Sequence, residues 1–273
     1  MGKETGIAWT DSTFNSWFGC TKVGPACDSC YAEAVDKRSG GDHWGTGAPR
    51  RLLSERARNE PFRWQKKAPE FFAKHGRRQR VFTLSMGDLF DNEVPDDWRA
   101  AHMAIMESTP DLEWQICTKR IGNLPKMVPQ MTGANLPGWT LGFWPRNVGV
   151  LVTIVTQAEA DRDLPKLLRL KAAYAIPWVG VSYEPAQEMV HFSRYLGTNG
   201  VVDYGASLDW IIFGGKSGPQ WNDRPFDVEW GREVARKCDL TNTAFFFKQV
   251  AGFRPTVEQI PADLLIRQFP KGH

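Results

Sequence analysis

The sequence predicts an α/β fold, a partial or complete (β/α) barrel of parallel strands with insertions. Three observations predict it. Short β-rich runs alternate with polar, helix-compatible stretches, the rhythm of parallel βαβ units. Several runs, VGVLVTIV and DWIIFGG among them, are almost continuously apolar, as strands buried on both faces of a parallel sheet are. Polar residues recur directly after the runs, where parallel α/β folds place their ligand sites. An open doubly wound sheet shares this alternation and is the second reading.

In chain order, a weak first strand is expected around residues 6–9, followed by strands at 81–85, 114–118, 148–156, 178–183, 209–214 and 244–248. Their ends carry Ser85-Met86-Gly87-Asp88, Cys117-Thr118-Lys119-Arg120, Thr156-Gln157, Ser182-Tyr183-Glu184-Pro185, Gly214-Gly215-Lys216-Ser217-Gly218 and Lys248-Gln249. Polar strand ends in such number point to one shared pocket. Residues 39–80 and the Trp/Gly/Pro-rich residues 131–146 break the rhythm and are expected to be insertions, lids or substrate-contacting elements.

A length of 273 residues suits a single domain. Hydrophobic residues at 42% and charged residues at 24% are ordinary for a globular protein and exclude a disordered or fibrous chain. The basic excess, 34 − 31 = 3, permits nucleic-acid contact without arguing for it. Positive charge is densest in Arg50, Arg51, Arg56, Arg58, Arg63, Lys66, Lys67, Lys74, Arg77, Arg78 and Arg80, interleaved with Phe62, Trp64, Phe71 and Phe72. That stretch is either a solvated helical face or a phosphate-binding surface. No run of about 18 apolar residues would span a bilayer, and the N-terminus lacks the apolar core of a signal peptide. A cytoplasmic protein is expected, with no membrane partner.

Three of the five cysteines fall within eleven residues, in GCTKVGPACDSCYAEA. In a reducing compartment such clustering signals metal or redox chemistry rather than disulfides. Cys20, Cys27 and Cys30, spaced C-x6-C-x2-C ahead of a helix expected from Tyr31, can hold three irons of a [4Fe–4S] cluster and leave the fourth open. In radical S-adenosylmethionine (SAM) chemistry the amino and carboxylate groups of SAM fill that position. One electron passes to the sulfonium, a C–S bond breaks, and the 5′-deoxyadenosyl radical abstracts a hydrogen atom. A zinc site completed by His43, Cys117 or Cys238 competes, as do unligated structural cysteines. Cys117 and Cys238, in a strand and a helix, read as small buried hydrophobes.

With these residues the chain resembles the phage Gp37/Gp68 family of radical-SAM-like proteins. The resemblance runs through IAWTD, GCTKV, Cys27, CYAE, SMGDLF, CTKR, SYEP, DWIIFGGKSG and FFFKQ. It implies a barrel of the radical SAM type, with the cluster and SAM as cofactors and an external electron donor. Ser85, Met86, Gly87 and Asp88 would then bind the SAM amino group, and Lys119 and Arg120, beside Thr118, a carboxylate or a substrate phosphate. Asp88 as a mere helix cap is the plainer alternative.

Glu184 would bind a ribose hydroxyl or a substrate amine, while Gly214, Gly215 and Gly218 admit a close ligand. Lys248, ending an apolar strand, is expected in the pocket, and Glu184, Lys216 and Lys248 are the expected catalytic residues. Two departures stand out: the first cysteine interval exceeds the common C-x3-C, and Lys216 replaces an acidic residue before Ser-Gly. The expected substrate is a DNA base, a modified thymine of phage DNA undergoing rearrangement. Repair of a DNA photoproduct and a zinc-stabilised nucleic-acid-binding module without catalysis are the alternatives.

Overall fold

The computed structural model describes residues 5–28, 30–131 and 144–271. Seven strands form one sheet in the order β1-β4-β5-β6-β7-β8-β9. They are β1 (Ser12–Phe14), β4 (Gln79–Thr83), β5 (Leu112–Thr118), β6 (Val148–Thr153), β7 (Val179–Tyr183), β8 (Trp210–Gly214) and β9 (Ala244–Gln249). A separate antiparallel pair joins β2 (Trp17–Phe18) to β3 (Arg51–Leu52). The large sheet is parallel and, β2 and β3 apart, follows chain order, the topology of a partial (β/α) barrel.

Helices occupy the crossovers that parallel neighbours require. Between β1 and β4 lie α1 (Tyr31–Arg38), α2 (Glu55–Arg58) and α3 (Glu60–His75). Then α4 (Asp96–Glu107), α5 (Leu124–Met131), α6 (Gln157–Tyr174), α7 (Gly197–Tyr204) and α8 (Val228–Thr241) each follow one strand. Residues β6, β7 and β8 are buried throughout, as their apolar runs require. Among the described residues no helix is long and apolar enough to cross a membrane.

The first strand differs from expectation: it lies at Ser12–Phe14, not at residues 6–9. It pairs in parallel with β4, Ser12 against Val81 and Phe14 against Thr83. Asp11 fixes this register, accepting from Arg77 Nη1 and Nη2 at 2.7 and 2.8 Å and from the Arg80 amide at 2.8 Å. The break expected at residues 39–80 contains β3, α2 and α3, so helix and strand fill it. Of residues 131–146, residues 132–143 lie outside the described residues.

By its contacts the chain divides into two compact units. One holds the chain up to Val150 together with Tyr174–Pro177; the other holds Leu151–Ala173 and the chain from Trp178 onward. In the first, His102 is fully buried, stacked on Phe14 at 5.4 Å and hydrogen-bonded to the Ser16 and Thr83 hydroxyls at 2.7 and 2.9 Å. In the second, aromatic rings fill the core. Trp178 meets Trp210 edge-on at 5.7 Å, and Phe213 meets Tyr183 and Phe247 at 5.3 and 5.1 Å.

Candidate functional site

The cysteine loop leaves β2 at Gly19, whose φ of +118° suits glycine alone. A Cβ there would also stand 2.6 Å from the His43 carbonyl oxygen. The Gly19 amide donates to the Met86 carbonyl at 3.0 Å, fastening the loop to the residues that follow β4. Cys20 then donates its amide to the His43 carbonyl at 3.2 Å and accepts from the Gly45 amide at 2.9 Å. Cys27 ends a short 3₁₀ turn and is buried, with the Val23 amide 3.5 Å from its sulfur. Cys30 is the N-cap of α1.

Arg50 stitches the far side of the loop. Its Nη2 donates to the Thr21 hydroxyl at 2.7 Å and its Nε to Asp91 at 2.9 Å. His43 donates its amide to the buried Asp36 at 3.1 Å, and its ring nitrogen lies 2.8 Å from the same carboxylate. A loop with this many internal bonds holds its thiols in defined places.

The ends of β4 and β5 meet this loop. Tyr31 donates its hydroxyl to the Ser85 carbonyl at 2.9 Å, and Asn15 clasps the Ser85 hydroxyl at 2.9 Å and the Met86 amide at 2.7 Å. Gly87 lies against Trp17 and Gly19, where a Cβ would come within 3.2 Å of the Trp17 ring nitrogen. Asp88 is buried and its oxygens are occupied. One accepts from the Thr118 hydroxyl at 2.8 Å and the Phe90 amide at 3.0 Å, the other from the Lys119 amide at 3.0 Å. Its carboxylate therefore holds the end of β5 in place.

Arg120 points into the cysteine loop. Its side chain is 6% exposed. Nη1 donates to the Cys20 sulfur at 3.3 Å and Nη2 to the Thr21 carbonyl, while Asp88 and Asp91 oxygens lie 3.4 and 3.8 Å from the guanidinium. Burial opposes its charge, but Asp88, Cys20 and Asp91 together hold its pKa above the ordinary arginine value. Burial pushes the Cys20 thiol up to about 11, with Asp88 adding to the push and Arg120 opposing it. Lys119 is half-buried. Burial again works against its charge, yet Cys117, Cys27, Asp88 and Cys30 outweigh it and raise the ammonium pKa.

In the second unit, Glu184 and Lys248, from the ends of β7 and β9, form an ion pair through Glu184 Oε2. Between those strands β8 ends in Gly214, where a Cβ would sit 3.5 Å from both side chains, so β8 places no side chain between them. Glu184 is 10% exposed and Lys248 24%. Glu184 Oε1 is buried with no hydrogen-bond partner among the described residues. Gly215 and Gln249 are joined by two 2.9 Å bonds, and Lys216 is held by Asp223 at 2.7 Å.

A family profile described as a protein of unknown function, DUF5131, matches residues 4–267. The chain belongs to the DUF5131 family. No curated protein matches it.

This DUF5131 chain therefore gathers Cys20, Cys27, Cys30, Ser85, Met86, Gly87, Asp88, Thr118 and Lys119 in its first unit, and Glu184, Gly214, Gly215, Lys216 and Lys248 in its second. Lys216 is bound to Asp223. Among the described residues no group of three His, Cys, Asp or Glu side chains stands close enough for a single metal ion. A four-iron cube takes one thiolate per iron and so accepts sulfurs that stand apart. A loop of three cysteines with Arg120 aimed at one sulfur fits that donor set.

Cys238 is buried in α8, as expected. Cys117 is half-buried and near enough to Lys119 to influence its charge, which differs from the buried hydrophobe expected. The basic stretch also differs. Arg50 and Arg80 are buried, and Arg77 is bound to Asp11; Arg56, Lys66, Lys67, Lys74 and Arg78 remain exposed. Arg120 is not free for a substrate phosphate, and Asn15, which no sequence motif marked, builds the site with Tyr31 of the CYAE segment and Arg50 of the basic stretch.

Proposed function

We propose that this chain is a radical SAM enzyme in which Cys20, Cys27 and Cys30 hold a [4Fe–4S] cluster. The observation that carries the reading is the seating of the three-cysteine loop on the ends of β4 and β5, through Gly19 to Met86 and through Cys20 to Arg120. When bound, the cluster with SAM at its open iron supplies one-electron cleavage of the sulfonium, for which an external donor provides the electron.

The chain's own groups do the rest. The backbone carbonyls after β4 suit the SAM amine, those of Ser85 and Met86 through the lone pair left over from Tyr31 and Gly19, and half-buried Lys119 suits its carboxylate. Asp88 positions rather than binds, because its oxygens already hold Thr118, Lys119 and Phe90. In the second unit Glu184 offers a buried acceptor beside the Lys248 donor, a pairing suited to a substrate carrying an N–H or O–H next to a carbonyl. The substrate to test first is a modified thymine base in DNA, with photoproduct repair as the alternative reaction.

The test is anaerobic reconstitution with iron and sulfide analysis, then electron paramagnetic resonance of the reduced protein with and without SAM. About four irons per chain, a spectrum altered by SAM and loss of iron in Cys27→Ala are the expected results. Stoichiometric zinc without iron refutes the proposal.

A further inference from the structure

Arg120 has an arrangement that neither a surface arginine nor a substrate clamp needs. Its amide is tied to the Thr118 hydroxyl at 2.9 Å, and the same hydroxyl donates to Asp88 at 2.8 Å. The guanidinium is fixed by the Thr21 carbonyl, with Asp88 and Asp91 beside it. Those oxygen contacts already offset part of the cost of burying the charge. One N–H is nevertheless aimed at Cys20 Sγ, 3.3 Å away. A neutral thiol is a weak acceptor, whereas a metal-bound thiolate carries the negative charge that a guanidinium N–H favours.

We propose that Arg120 is a positioning residue that sets the reduction potential of the group bound through Cys20, raising it by donating a charged N–H to the ligand sulfur. The inference rests on the cluster reading of the cysteine loop. Each added electron makes the cluster and its thiolates more negative, so a fixed cation and N–H donor at the sulfur stabilise the reduced state more than the oxidised one. Burial strengthens the effect, because little solvent screens the pair. Fixation strengthens it further: the donor cannot swing away when the charge changes.

The test uses the full chain, reconstituted with iron and sulfide, in three forms: wild type, Arg120→Lys and Arg120→Met. Lysine keeps the cation and loses the fork; methionine loses both. The midpoint potential is read by poising each protein at a series of potentials and recording the paramagnetic signal, with iron and sulfide content measured on the same samples. The expected order of midpoints is wild type, then Arg120→Lys, then Arg120→Met at the most negative. An unshifted midpoint in Arg120→Met at wild-type iron content overturns the inference. Loss of iron from both variants also overturns it and makes Arg120 a loop fastener only. Iron content of the wild type is a separate readout: its absence sinks the cluster reading itself, and the inference with it.

Discussion

Gly19→Ala is the substitution whose cost the structure sets most directly. At φ +118° an L-residue is strained by about 1–3 kcal/mol. The new methyl would also meet the His43 carbonyl oxygen at 2.6 Å and the Arg50 side chain at 2.8 Å. Relieving that overlap costs about 1–3 kcal/mol more, because the carbonyl also receives the Cys20 amide and cannot easily retreat. The expected loss is therefore about 2–6 kcal/mol, with Cys20 displaced alongside.

Two controls separate the contributions. Gly40→Ala, at φ +74° with nothing within 4 Å, carries backbone strain alone, about 1–2 kcal/mol. Gly87→Ala carries only contacts of 3.2 and 3.3 Å, under about 1 kcal/mol. Urea midpoints of the metal-free proteins rank the three, and iron uptake after reconstitution reports the displacement of Cys20. If Gly19→Ala proves no more destabilising than Gly40→Ala, the close approach of the loop to His43 is wrong.

Burial pushes the His102 imidazole down to about 3, against 6.5 for the free side chain. The unfolded chain takes up this proton near pH 6.5 and the folded chain only near 3, so stability present above 6.5 is lost as pH falls between them, by up to about 1.4 kcal/mol per unit. His102→Gln should flatten that slope in urea titrations at several pH values; parallel slopes would refute the assignment. Lys248→Met should destabilise by about 2–4 kcal/mol, less than a fully buried pair because Lys248 is 24% exposed, since it leaves the Glu184 carboxylate unpaired. The double variant Glu184→Gln, Lys248→Met should recover at least half of the loss, and strictly additive losses would count against the pair.

Strands β6, β7 and β8 were legible because each is a nearly apolar run long enough to mark a strand buried on both faces, and β4, β5 and β9 because apolar residues at their centres recur in step with them. The first strand was not. Ser12–Phe14 is too short for periodicity, and its register comes from Asp11 reaching Arg77 and Arg80, a contact across more than sixty residues. The cysteines were legible from spacing alone. Their surroundings were not, because Arg120 lies 100 residues from Cys20 in sequence and nothing local tells a buried arginine from an exposed one. Arg50 and Arg80 misled for the same reason: a run of positive charge reads as surface until Asp91 and Glu113 are seen beside them.

The bonds that shape the cysteine loop join protein to protein: Gly19 to Met86, Cys20 to His43 and Gly45, Arg50 to Thr21 and Asp91. In a zinc finger the ion and the fold arrive together, and a chelator takes both away. Here the scaffold can be complete before any inorganic guest arrives. On the proposed cluster reading, maturation would be a late step, separable from synthesis, and a protein emptied by oxygen would be refilled without returning to the unfolded chain.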